Sequence, residues 1–261
     1  MGLFVLAEGL EASRNYCFSV TCMSAIEQSL DAASRLAKAV SKLRFDAPVT
    51  HVYNPLEYAW SAYQQYVSLM PPEGCRVLLL GMNPGPWGMA QTGVPFGQVA
   101  AVRDWLGIDA PINRPQKEHP RRPIEGLACS RSEVSGERLW GLFREQFGTA
   151  DQFFQEHFVA NYCPLVFMEA SGRNRTPDKL SAQQRQPLDA VCDAHLESLL
   201  RAIVPEWAVG VGVYAEKCLR RVVGQAPIKV TRILHPSPAS PAANRGWAEA
   251  AKAKLSEEGI W

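Results

Sequence analysis

The most regular feature of the chain is an alternation of short, unbroken apolar runs with longer stretches whose apolar residues return every three or four positions. Four runs, at residues 76–80, 158–162, 207–211 and 228–234, are rich in Val, Leu, Ile and aromatic residues and read as buried strands. Helical periodicity covers residues 24–43 and 57–70 before the first strand, and 97–105 and 136–147 between the first and second. It returns from Ser181 toward Ile203, over 214–223, and in a last stretch ending before Gly259. The punctuation agrees, with Ser135 as N-cap and Gly148 as stop for 136–147, Ser181 and Gln184 as a capping box, and Gly224 closing 214–223.

Strands separated by helices imply parallel neighbours joined by helical crossovers. The predicted fold class is therefore α/β, a three-layer α/β/α sandwich with a central, mainly parallel four-stranded sheet. At 261 residues and 47% hydrophobic content the chain suits one domain, taken as residues 23–261, with residues 1–22 expected to be a flexible N-terminal tail. Open α/β sheets bind ligands at the carboxyl ends of their strands. There the sequence places Asn83 after the first strand, Asn161 at the end of the second, Gly212 after the third and His235 after the fourth.

Composition narrows the classes. A net charge of +1 neither announces nor excludes nucleic acid. Arg114, Lys117, Arg121, Arg122 and Arg131 crowd one stretch, and Arg173, Arg175 and Lys179 another; each reads equally as phosphate contacts or as solvated surface. The seven cysteines show no Cys-x-x-Cys pair and no Cys/His spacing for zinc or iron–sulfur, so no metal or cofactor is expected. An odd, unpatterned count fits a reducing, intracellular setting where DNA resides, and the apolar start, broken by Glu8, reads as neither signal peptide nor membrane span. A monomer is expected.

The loop Gly-Met-Asn-Pro-Gly-Pro-Trp-Gly at residues 81–88 is neither a Walker loop nor Gly-x-Gly-x-x-Gly. It reads as a rigid cradle presenting Asn83, or as a tight turn in which Asn83 serves the backbone. Phe96, between a proline and a helix-opening glycine, offers a platform for a planar base or a core side chain. Asn161 matches the edge of uracil, a donor for O4 and an acceptor for N3–H, or is bonded within the protein. His235 is placed to donate a hydrogen bond to a developing oxyanion. His51, His119, His157 and His195 read as structural or surface residues.

The long run at 81–97, with Val102-Arg103-Asp104-Trp105-Leu106-Gly107, Ser132-Glu133-Val134-Ser135-Gly136, Asn161-Tyr162-Cys163-Pro164-Leu165, Ser171-Gly172-Arg173-Asn174 and His235-Pro236-Ser237-Pro238, resembles the single-strand-selective monofunctional uracil-DNA glycosylases. The likeness covers about residues 45–255. It implies catalytic roles for Asn83, which positions water, and His235, which supports the departing base. It also implies a base pocket of Met82, Gly85, Phe96 and Asn161, with Gly85 leaving room near C5 for 5-hydroxymethyluracil as well as uracil. Pro236, Ser237, Pro238, Ala239, Ser240, Asn244 and Arg245 correspond to the family's DNA-intercalating wedge, and Ala239 departs from a basic residue in relatives. The implied partner is DNA containing uracil or other deaminated or oxidised bases, in single or double strands, with xanthine a further candidate. Asn83 is a neutral amide and orients water rather than acting as a general base. Base release without strand cleavage is the expectation. A hydrolase of free nucleosides and a binding module that only holds an extruded base remain open as alternatives.

Overall fold

The computed structural model describes residues 23–261; the reading of residues 1–22 as a flexible tail lies outside the described residues. In chain order the elements are α1 (Ala25–Val40), β1 (Val49–Tyr53), α2 (Pro55–Tyr58), α3 (Trp60–Val67), β2 (Val77–Gly81) and α4 (Met89–Thr92). Next come α5 (Val134–Phe147), α6 (Ala150–Phe154), β3 (His157–Asn161), β4 (Val166–Glu169) and β5 (Asn174–Arg175). The chain closes with α7 (Ala182–Ile203), β6 (Trp207–Val211), α8 (Val213–Val223), β7 (Lys229–Ile233) and α9 (Trp247–Glu257).

The four predicted strands form one parallel sheet in the order β3-β2-β6-β7. In β2, β3 and β6 every residue is buried, as expected of parallel strands covered on both faces; edge strand β7 alternates and exposes Lys229 and Arg232. One face of the core is an aromatic cluster in which Tyr66, Trp140, Phe143, Phe153 and Phe158 are each at most 1% exposed. Tyr66 anchors it by donating to the Val159 carbonyl at 2.7 Å.

Several expectations change. A second, antiparallel sheet of order β1-β4-β5 lies outside the predicted four strands. Its strands are short and carry polar residues such as Thr50, His51 and Asn174, so no uninterrupted apolar run marks them. The helix read at 57–70 is broken at Ala59, whose φ −114° and ψ 26° leave the helical region. The helix read at 97–105 is reduced to a widened turn at Ala101–Trp105, where the Leu106 N–H reaches back five residues to Ala101. Ser135 does not cap α5. Glu133 does, its carboxylate accepting the Ser135 N–H at 3.3 Å. Ser181 caps α7 by accepting the Gln184 N–H, which is one half of the capping box read from the sequence; the reciprocal bond from the Ser181 N–H to the Gln184 side chain is not seen among the described residues. Among the described residues no helix is long and apolar enough to cross a membrane.

Candidate active site

The parallel ladder continues past the ends of β2 and β3. The Tyr162 N–H donates to Gly81 and the Cys163 N–H to Met82, both at 2.9 Å, so the motif loop leaves the sheet already fastened. Asn83 follows at once. Its Nδ2 donates to the Leu165 carbonyl at 3.0 Å and the Pro84 carbonyl at 3.3 Å, and among the described residues no group donates to its Oδ1. The side chain is half-buried, with the carbonyl half of the amide left to accept from a ligand or a water.

Phe96 has φ 54°, a left-handed backbone that only a tightly determined setting imposes on a phenylalanine. Gly136, in the first turn of α5, supplies that setting. It presses so closely on the Phe96 carbonyl that any Cβ would overlap it. Trp140 one turn on donates to the Pro95 carbonyl at 3.3 Å. At Gly81 a Cβ would collide with both the Asn161 amide and the Phe96 ring, which places those two groups together over the end of β2.

Asn161 is 9% exposed. Among the described residues its Nδ2 reaches only the sulfur of Met89 at 3.3 Å, a weak acceptor, and its Oδ1 has no partner. A buried amide left this way costs free energy that a ligand with a complementary donor and acceptor recovers.

His235 follows β7, 6.0 Å from Phe96 between ring centroids. Its Nδ1 accepts the Ser237 N–H at 3.1 Å, and burial pulls its pKa below the ordinary imidazole value. A neutral ring with an occupied Nδ1 lone pair carries its proton on Nε2, where it can donate.

These residues line one cleft of about 560 Å³, within the range of small-molecule sites. Met82, Asn83, Gly85, Phe96, Asn161, His235 and residues 237–240 all contribute, so the amides, aromatic plate and imidazole read from sequence meet in one place.

The structure adds detail at two of these places. Glu133 stands beside Gly85. A Cβ there would lie 2.6 Å from Oε2 of Glu133, so the room attributed to glycine is bordered by a carboxylate whose pKa burial raises. In the wedge segment, Pro236 is buried and Asn244 is engaged within the protein. Arg138 of α5 donates to the Pro236 carbonyl at 3.1 Å and to Oδ1 of Asn244 at 3.0 Å, while Asn244 donates to the Pro238 carbonyl at 2.9 Å. Ser237 accepts from the N–H groups of Ala239 and Ser240, leaving Pro238 and Ala239 exposed at the tip and Arg245 exposed at the base.

Sequence reasoning missed Glu133, Gly136 and Arg138. Glu133 and Gly136 lie in one of the matching motifs, but an acid before a helix and a glycine within one carry no chemical signal of their own. Arg138 reads as an ordinary helix-surface charge.

Residues 67–256 match the family model "Uracil DNA glycosylase superfamily", which fixes the class as enzymes that hydrolyse N-glycosyl bonds. Over 239 residues the chain is 48% identical to the single-strand selective monofunctional uracil DNA glycosylases of Mus musculus and Bos taurus. Those alignments take in 91% of this chain and 86% and 88% of the relatives. The chain belongs to that family. The crystal structure of wild-type SMUG2 from Pedobacter heparinus shares the fold, with a TM-score of 0.62 over 87% of this chain and 97% of that one at 17% identity.

Proposed function

We propose that this chain flips uracil out of DNA and hydrolyses its N-glycosidic bond, leaving an abasic site in an unbroken strand. The observation that carries the reading is the buried amide of Asn161, whose Oδ1 has no partner among the described residues, beside Phe96 in the cleft that holds His235. Stacked on Phe96, uracil presents N3–H to Oδ1 and O4 to Nδ2. Cytosine presents an amine and a bare nitrogen to the same pair, leaving two buried mismatches.

As the bond breaks, the sugar becomes oxocarbenium-like and the base anionic. The Nε2–H of His235 donates to the base oxygen on which charge gathers, a stabilisation that strengthens as the transition state is approached. Asn83, its Nδ2 pinned, offers Oδ1 to one proton of the attacking water and fixes its approach; as the water oxygen bonds to the sugar carbon, the proton it sheds goes to the departed uracil anion and not to the neutral amide. The missing side chain at Gly85, with the Glu133 carboxylate bordering the room this leaves, supports 5-hydroxymethyluracil as a further substrate, and the exposed Pro238–Ala239 tip supports action on duplexes, where a flipped base leaves a gap.

The test is incubation with uracil-containing single and double strands, and separately with free deoxyuridine, followed by alkali to reveal abasic sites. Cleavage of the DNA alone is expected. Release from free deoxyuridine at a comparable rate, or binding without abasic sites, refutes the proposal. Asn83→Ala and His235→Ala should each lower the single-turnover rate by about 100-fold or more, the scale of losing one oriented transition-state contact. Folded variants with near-parental rates would remove these residues from the mechanism.

A further inference from the structure

The two basic stretches of the sequence are sorted by the fold. Arg114 faces Glu118 at 3.8 Å, Arg175 pairs with Glu169 at 2.6 Å, and Lys179 with Asp178 at 3.3 Å. Arg121, Arg122, Arg131 and Arg173, by contrast, have no carboxylate within ion-pair distance among the described residues. Among the described residues exposed arginines elsewhere divide, Arg35, Arg103, Arg201 and Arg220 finding a carboxylate and Arg144 and Arg245 none, so what marks these four is their convergence.

These arginines converge although they come from two distant segments. Arg121 donates to the Ser171 carbonyl at 3.3 Å and Arg122 to Gly172 at 2.9 Å, which closes the turn before Arg173 against the loop that carries Arg121 and Arg122. The guanidinium of Arg122 lies 4.9 Å, and that of Arg131 5.5 Å, from the centre of the Trp87 ring. Trp87 stands between Pro86 and Gly88, and Arg173 next to Asn174, all three of those neighbours lining the active-site cleft. The unpaired charges therefore begin at its mouth.

A guanidinium held against an indole has already lost much of its side-chain freedom and still presents N–H groups outward in a fork that suits phosphate oxygens. With a net charge of only +1 on the whole chain, the positive field is local to this rim. We propose that Arg121, Arg122, Arg131 and Arg173, with Trp87 as the plate that fixes two of them, bind the backbone phosphates of the strand that adjoins the flipped nucleotide. The proposal rests on the function given above and adds the surface by which the strand is held. Contact is to phosphate, so it is independent of sequence and strongly salt-dependent.

Arg131 and Arg173 are exposed, and no hydrogen bond of their side chains is seen among the described residues, so Arg131→Ala/Arg173→Ala leaves the fold intact. Uracil release from a single-stranded oligonucleotide should show KM raised about tenfold, and the slope of log KM against log salt reduced by about 1.4, two phosphate contacts' worth. The rate at saturating DNA should stay within about twofold of the parent, because the arginines act before the chemistry. The control Arg35→Ala/Arg201→Ala removes equal charge from another surface and should leave KM and slope unchanged. Unchanged KM and slope in the first double variant, or an equal effect in the control, overturns the proposal. So does a fall in saturating rate with an unaltered slope. Fluorescence anisotropy with a uracil-free labelled strand separates this proposal from the one beneath it. It reads strand binding even where the parent releases no uracil, and a loss of affinity in the first variant alone is the expected result.

Discussion

At Asn161 a one-atom change exchanges a donor for an acceptor. Among the described residues its Nδ2 has only a thioether for company and its Oδ1 has nothing, so the amide's hydrogen-bonding capacity is left for the cleft it lines. Asn161→Asp puts an oxygen opposite O4 of uracil, and kcat/KM for uracil is expected to fall by about 100-fold or more, the scale on which buried polar mismatches discriminate. Single-turnover assays with uracil- and cytosine-containing strands check this, and an unchanged preference would sink the role. Asn83, Asn161 and His235 were legible because each follows a strand of a parallel sheet, where polar side chains face the ligand edge. Glu133 was not. It caps a helix with one oxygen and borders the pocket with the other, and only the first role leaves a trace in sequence spacing.

At the scale of elements, the tip that carries Pro238 and Ala239 is braced from outside itself. Arg138 of α5 holds both Pro236 and Asn244, and a second contact runs from Asn244 to Pro238. Arg138→Ala frees both acceptors and slackens the loop. A duplex needs the gap filled and a single strand does not, so activity on uracil in duplex DNA should fall about tenfold further than on single strands, the size of one hydrogen bond to a charged group. Equal losses on both would mean that Arg138 serves only the fold. The four central strands were visible as apolar runs, and helices with clear caps were found to within a few residues. The antiparallel sheet was hidden because strands of two to five residues with polar members are built by pairing with β4, not by local pattern. The residue before α3 broke a helix that periodicity alone ran straight through.

Across the whole molecule, two buried imidazoles contribute to the loss of stability in acid. His157, which accepts the Trp261 indole N–H at 3.1 Å, and His195 both have pKa values lowered to about 4 by burial. The unfolded chain takes up these protons near pH 6.5 and the folded one only near 4, so their contribution is complete above about pH 6.5 and declines as pH falls toward 4, by up to about 3 kcal/mol each. Urea midpoints measured between pH 7.5 and 4.5 should fall accordingly, and His195→Leu should show a shallower fall; identical pH profiles would exclude His195 as a source. A different consequence follows from the five residues 161–165, which run from the end of β3 to the start of β4. They carry the Asn161 amide at one end and the carbonyl that pins Asn83 at the other, and they are themselves bonded to Gly81 and Met82. Asn83 and Asn161 are thus fastened to one short crossing between the two sheets, so that any change in this crossing displaces both amides together.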